Sequence, residues 1–286
     1  MSKDSTGVRY YDAHCHMYDA RLGPALAVDP FSNVEHSIAA QVINGTHPDN
    51  WAIIRRLEPF RGCKALKAYG VHPWRVDELP DDWEAQLKQA LDSGAVSVGE
   101  IGLDNWVEPR DEKLQKDVFM RQLQMASETG LPPSVHCVRA YGQLIDCLRS
   151  GPDLPMGFLA HGFGGSKEVL YQLLDLGGYV SFSAYGAHPG RKRIRDAVRA
   201  CPADRLLAET DAPDMVPPED VCQYPISDTK GRLQHPLEIV TAYEYLSQWR
   251  GERREDLAAQ VAENFRRLFL SKSKSKSLSG SGLGCT

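Results

Sequence analysis

The chain has 286 residues, a formal net charge of −5 and 42% apolar residues. The length suits one large domain, since α/β barrels of roughly 200–250 residues are ordinary single domains, and such a chain buries roughly 75% of its unfolded surface. No apolar run is long enough for a transmembrane helix, the opening MSKDSTG lacks the apolar middle of a signal peptide, and the mild acidity argues against a protein that coats nucleic acid non-specifically. The seven cysteines are an odd number without paired spacing, and read as reduced thiols of a cytoplasmic protein.

Taken in chain order, short β-rich runs alternate with longer amphipathic segments. The runs are VRYYDAH, AQVINGT, CKALKAYGVH, AVSVGEIGL, PSVHC, GFLAH, YVSFS and RLLAETD. Among the segments between them, WEAQLKQALDSG has apolar residues at helical spacing and stops at Gly94, and DEKLQKDVFMRQLQMASETG stops at Gly130. Glycine is the residue that most easily takes the left-handed conformation past a helix end. A third segment, SKEVLYQLLDLGG, starts at Ser166. Strands alternating with helices imply βαβ units and a parallel sheet. Eight such runs at even spacing predict an α/β fold of the (β/α)8 TIM-barrel type, with a doubly wound sheet as the rival. The stretch APDMVPPEDVCQYPISDTKGRLQHP, rich in proline and polar residues, predicts a long loop after the last strand. The barrel is expected over residues 1–270, and the Ser/Lys/Gly tail 271–286 is expected to be disordered.

Polar residues recur where these strands end. His14 and His16 are two apart on a strand and project to one face, with Cys15 opposite. Alone, the pair reads equally well as a hydrogen-bonded couple. Glu100 lies within the apolar run SVGEIGL, where an unpaired carboxylate is costly, so a lysine, an arginine or a metal cation must neutralise it. His136, His161 and Asp211 close the fifth, sixth and eighth runs. In a barrel all six meet at one mouth, where active sites of this architecture lie. Four imidazoles and two carboxylates suit divalent metals and exceed what one tetrahedral ion needs. A carboxylate bridging two ions roughly 3.5–4 Å apart would use them all. Glu100 is the expected bridge, with His14, His16 and Asp211 at one ion and His136 and His161 at the other.

The motifs DAHCH, GVHPW, VGEIGLDNW, PSVHC, LAHGF, ETDAP and NFRRLF resemble the TatD family of metal-dependent deoxyribonucleases, within the amidohydrolase-like barrels, from about Tyr11 to Phe269. The resemblance implies a TIM barrel, a two-metal centre (Zn, Mn or Mg) and hydrolysis of phosphodiester bonds in DNA by a two-metal-activated hydroxide, endo- or exonuclease-like. It implies the ligands His14, His16, Glu100, His136, His161 and Asp211, with Asp211 and Glu100 also catalytic, and it places His72 near the substrate phosphate. The chain departs from the family pattern at Trp74, at Arg139, which is displaced along HCVRA, and at His235 in LQHP.

Other residues carry open readings. Trp74 and Trp106 could stack on a base or pack in loops. Asp104 could orient a ligand histidine or cap a helix. Glu209 could support the centre from below or pair with Lys64 or Lys67. The basic stretch Arg191–Arg199 could track a nucleic-acid backbone or form a solvated helix face. Cys15 and Cys137 are expected to face away from the metals. The expected partner is a DNA or oligonucleotide, single-stranded, with no membrane; the sequence leaves the oligomeric state open, a monomer included. Two other functions share these residues: an amidohydrolase or lactonase acting on a small carbonyl substrate, and a non-catalytic scaffold that keeps the barrel.

Overall fold

The computed structural model describes residues 7–27, 31–34, 37–106, 108 and 111–271; the tail 272–286 lies outside the described residues. Eight strands run in chain order: β1 (Arg9–Cys15), β2 (Ser37–Asn44), β3 (Lys64–Tyr69), β4 (Ser97–Asp104), β5 (Pro133–Val138), β6 (Phe158–Ala160), β7 (Gly178–Phe182) and β8 (Leu206–Ala208). Each pairs in parallel with the next, so spatial order follows sequence order. Between and after them lie the helices α1 (Leu22–Ala27), α2 (Pro48–Arg56), α3 (Trp83–Asp92), α4 (Glu112–Thr129), α5 (Tyr141–Ser150), α6 (Lys167–Asp175), α7 (Lys192–Ala200), α8 (Glu238–Arg250) and α9 (Arg254–Phe265). The result is a (β/α)8 barrel. Among the described residues no helix is long and apolar enough to cross a membrane, and the six described cysteines are free thiols.

Local chemistry explains the boundaries. Asp111 caps α4 by accepting the Leu114 N–H at 2.9 Å, and Gly130 ends it at φ 67°. Ser166 caps α6 through the Val169 N–H. The barrel closes beyond the end of β8: the Asp211 N–H donates to the His14 carbonyl at 2.9 Å, and the His16 N–H to the Ala212 carbonyl at 2.8 Å. Closure therefore sets Asp211 beside both histidines. Buried Asp12 reinforces the seam by accepting from the N–H and the hydroxyl of Thr210, at 3.0 and 2.7 Å.

The stretch after β8 is not wholly irregular. It contains a short antiparallel pair, β9 (Ile226–Ser227) and β10 (Arg232–Leu233). Asp228 fixes the turn by accepting the N–H groups of Lys230 and Gly231. Ile226 and Leu233 pack with Leu22 and Ala25 of α1, which pins this segment to the β1 side of the mouth.

Candidate metal centre

The strand ends deliver donors into one small volume. The Nδ1 of His16 lies 2.9 Å from the Asn44 carbonyl oxygen. A carbonyl only accepts, so that nitrogen carries a proton, and in the neutral ring Nε2 presents a lone pair. This Nε2 lies 3.2 Å from Glu100 Oε2, 3.3 Å from Asp211 Oδ1 and 3.3 Å from His14 Nε2. Acceptors thus crowd one another, which is favourable only with a cation or an extra proton among them. Asp211 Oδ1 is buried and has no hydrogen bond among the described residues, a further sign that something positive belongs there.

Glu100, 2% exposed, divides its two oxygens. Oε2 faces His14 and His16 at 3.3 and 3.2 Å. Oε1 faces His161 at 2.7 Å, His136 at 2.9 Å and His72 at 3.3 Å. The ligand-type atoms form three overlapping groups: His14, His16 and Asp211; His14, Glu100 and His161; and His72, Glu100 and His136. In this arrangement a single carboxylate lies between two sets of imidazoles.

The rings are oriented from behind. Asp104 accepts His136 Nε2 and Trp74 Nε1, both at 2.9 Å, and the Trp106 N–H at 2.7 Å. His136 thereby turns its Nδ1 lone pair to Glu100. Glu209 accepts from Gly162 N–H at 2.7 Å and from the Ser181 hydroxyl, and stands 3.8 Å from His161 Nδ1, beyond hydrogen-bond range. Among the described residues it pairs with no lysine; the Lys67 ammonium bonds the Arg55 carbonyl instead. His14 Nδ1 meets the Ser134 hydroxyl at 3.0 Å.

The electrostatics follow from burial and crowding. Burial, aided by the neighbouring His161, drives His14 down to about 3, so its ring is neutral. It stacks on His161 with centroids 3.7 Å apart. Burial also disfavours charge on His16, but Tyr18 and the carboxylates of Asp211 and Glu100 outweigh it and hold the imidazole well above its ordinary range. At Glu100 burial is likewise overcome, by His161, His72 and His14, and the carboxylate is held well below its usual range. Asp104 is pulled up by burial, yet its bonds from His136 and Trp106 bring it to about 2. The donor set and its charge balance fit divalent cations.

His72 differs from the other imidazoles. Its Nδ1 accepts the Trp74 N–H at 3.1 Å, so a neutral ring carries its proton on Nε2 and offers Glu100 a donor rather than a lone pair. Cys15 points away, its thiol donating to the Val42 carbonyl. Cys137 borders the groove beside the centre, with burial pushing its thiol up to about 12. His235 is fully buried; its Nδ1 accepts the Leu237 N–H and its ring packs against Phe31, Phe60 and Tyr224. Sequence reasoning did not single out Asp12, Ser134 or Asn44. Asp12 carried a signal, a carboxylate within the apolar run VRYYDAH, whereas the Asn44 contact is made by a backbone carbonyl.

A (β/α)8 barrel with imidazoles and carboxylates gathered at its strand ends is the architecture of a metal-dependent hydrolase. The family model described as TatD related DNase matches residues 11–270. The chain is 33% identical over 200 residues to the uncharacterized metal-dependent hydrolase YcfH of Escherichia coli strain K12, covering 70% of this chain and 72% of that protein. It is 30% identical over 268 residues to the 3′-5′ ssDNA/RNA exonuclease TatD of Klebsiella pneumoniae, covering 88% and 97%. The crystal structure of YjjV, a TatD homolog from Escherichia coli K12, superposes with a TM-score of 0.80 at 26% identity, covering 92% of this chain and 98% of that one. The chain belongs to the TatD family of metal-dependent hydrolases.

Proposed function

We propose that this chain is a phosphodiesterase acting on DNA, an exonuclease-like deoxyribonuclease that uses two divalent ions, Zn, Mn or Mg. The observation that carries the reading is Glu100, whose two oxygens face separate sets of imidazoles. The exonuclease name of a relative spanning 88% of the chain supports the nucleic-acid substrate.

In this reading His14, His16 and Asp211 would hold one ion, and His136 and His161 the other, with Glu100 shared. Bound divalent ions polarise a phosphoryl oxygen and make water nucleophilic near neutral pH. Asp211, with its unpartnered Oδ1, orients the attacking water and accepts its proton. His72, fixed as an Nε2–H donor by the Trp74 N–H, can hydrogen-bond a phosphate oxygen. Asp104 holds the His136 ring so that its donor atom needs no rearrangement when substrate arrives.

The test is a product ladder from end-labelled single- and double-stranded DNA with the metal-loaded chain, beside Glu100→Gln and Asp211→Asn. Progressive shortening from one end is expected for the parent, and a loss of roughly 10²–10⁴-fold in the variants. Full metal-dependent cleavage in either variant would contradict the assignment.

A further inference from the structure

Beside the metal centre lies a groove of about 540 Å³. Its floor includes His136, His161 and Asp211. One wall is Trp106, which follows β4, with Arg139, which follows β5; the guanidinium carbon lies 5.8 Å from the indole centroid. The other wall is Tyr185 and Arg191, which follow β7; the guanidinium lies 4.7 Å over the phenol ring and bonds its hydroxyl. In sheet order β6 stands between the two walls. Its loop places Gly162 and Gly164 on the groove, where Tyr141 and Met215 also line it.

Arg21, Arg75, Arg121 and Arg253 each pair with a carboxylate. Among the described residues no carboxylate lies within ion-pair distance of Arg139, Arg191 or Arg193, and the last two border the same groove. Trp106 is 60% exposed. Trp74 is also exposed, but its indole N–H is bound to Asp104 and it does not border the groove. The basic stretch after β7 therefore divides by role. Arg195 donates to the Gly186 and His188 carbonyls, and Arg199 to the Trp249 carbonyl. Arg191 and Arg193 instead line the groove.

The geometry points to a two-sided nucleotide clamp: Trp106 with Arg139 grips the base and phosphate on one side of the bond to be cut, and Tyr185 with Arg191 grips those on the other. An aromatic face accepts any base, and an unpaired arginine beside it meets the adjoining phosphate. The volume falls within the roughly 300–1,000 Å³ of small-ligand sites, room for a nucleotide-sized group. The clamp rests on the phosphodiesterase reading and adds to it the residues that hold the strand.

The experiment measures KM and kcat of the metal-loaded full chain on a labelled oligothymidylate across a salt series. Trp106→Ala and Tyr185→Ala should each raise KM roughly 5- to 150-fold, with kcat changed less than about threefold and metal content intact. Tyr185→Phe, which keeps the ring, should restore the parent KM. Arg139→Gln and Arg191→Gln should each lower the slope of log KM against log salt by about 0.7; both side chains are exposed, so these variants carry the test if an alanine variant fails to fold. Arg253→Ala, paired with Asp256 at the start of α9, should leave all parameters at parent values. Parent-like KM and salt slope in the groove variants overturn the clamp and leave the hydrolysis standing. A metal-loaded parent that turns over no oligonucleotide overturns the phosphodiesterase reading, and the clamp with it.

Discussion

Asp104→Asn isolates the support behind His136. The parent carboxylate is fully buried and, among the described residues, accepts at Oδ2 from His136 and Trp74 and at Oδ1 from the Trp106 N–H. An asparagine amide has one acceptor oxygen. If its NH2 takes the Oδ2 place it opposes two donors, and if flipped it opposes the Trp106 N–H. Either way at least one part-buried N–H loses its partner, at a cost of about 1 kcal/mol in folding stability. The second effect falls on the metal centre. Without the carboxylate, His136 is no longer held with its Nδ1 lone pair towards Glu100, and loss of such an outer partner typically weakens metal affinity by roughly 10–100-fold, or about 1.4–2.7 kcal/mol. Competition against a chromophoric chelator reads the affinity, and urea unfolding of the metal-free chain reads the stability. Trp74→Phe removes one donor while keeping the carboxylate, so it should retain parent-like affinity. An Asp104→Asn chain with parent affinity for both ions would refute the claim that this carboxylate orients His136.

Two further outcomes follow from the backbone and the thiols. Gly102 has φ 149°, and a Cβ there would lie 2.0 Å from the His136 carbonyl oxygen. That oxygen is backbone in the paired strand, so Gly102→Ala should destabilise by more than about 3 kcal/mol in chemical unfolding; a loss below about 1 kcal/mol would show that β5 yields. Burial raises the Cys201 thiol from 9.0 to about 12. The neutral thiol is favoured by the fold, so its contribution is fully present below pH 9 and is lost as pH rises from about 9 towards 12, at up to about 1.4 kcal/mol per pH unit. Melting curves between pH 8 and pH 10.5 should fall less steeply for Cys201→Ala than for the parent, and equal slopes would place the thiol in a less buried setting.

Much of the centre was legible because barrel strands are apolar and end at the mouth. Against VRYYDAH, PSVHC and GFLAH, each polar residue at a strand's end stands out, and one period-2 argument aligns His14 with His16. The division of labour was not legible. His72 and His136 look alike in sequence, and what separates them is the Trp74 N–H on one ring and Asp104 on the other. Asp211 was read as the end of a strand, yet β8 stops at Ala208 and Asp211 takes φ 59° as the chain crosses to bond β1. The β9–β10 pair escaped notice because two-residue strands carry no periodicity, and its stability comes from the Asp228 turn and from α1. The basic stretch after β7 reads uniformly as charge, and only its partners divide it.

The central claim is that these donors grip a pair of cations, and an anomalous-difference map from crystals grown with Mn²⁺ tests it most directly. The account predicts two peaks roughly 3.5–4 Å apart, one beside His14, His16 and Asp211, the other beside His136 and His161, with Glu100 between them. A map with no peak within this cluster, or with manganese bound only elsewhere on the surface, would contradict it.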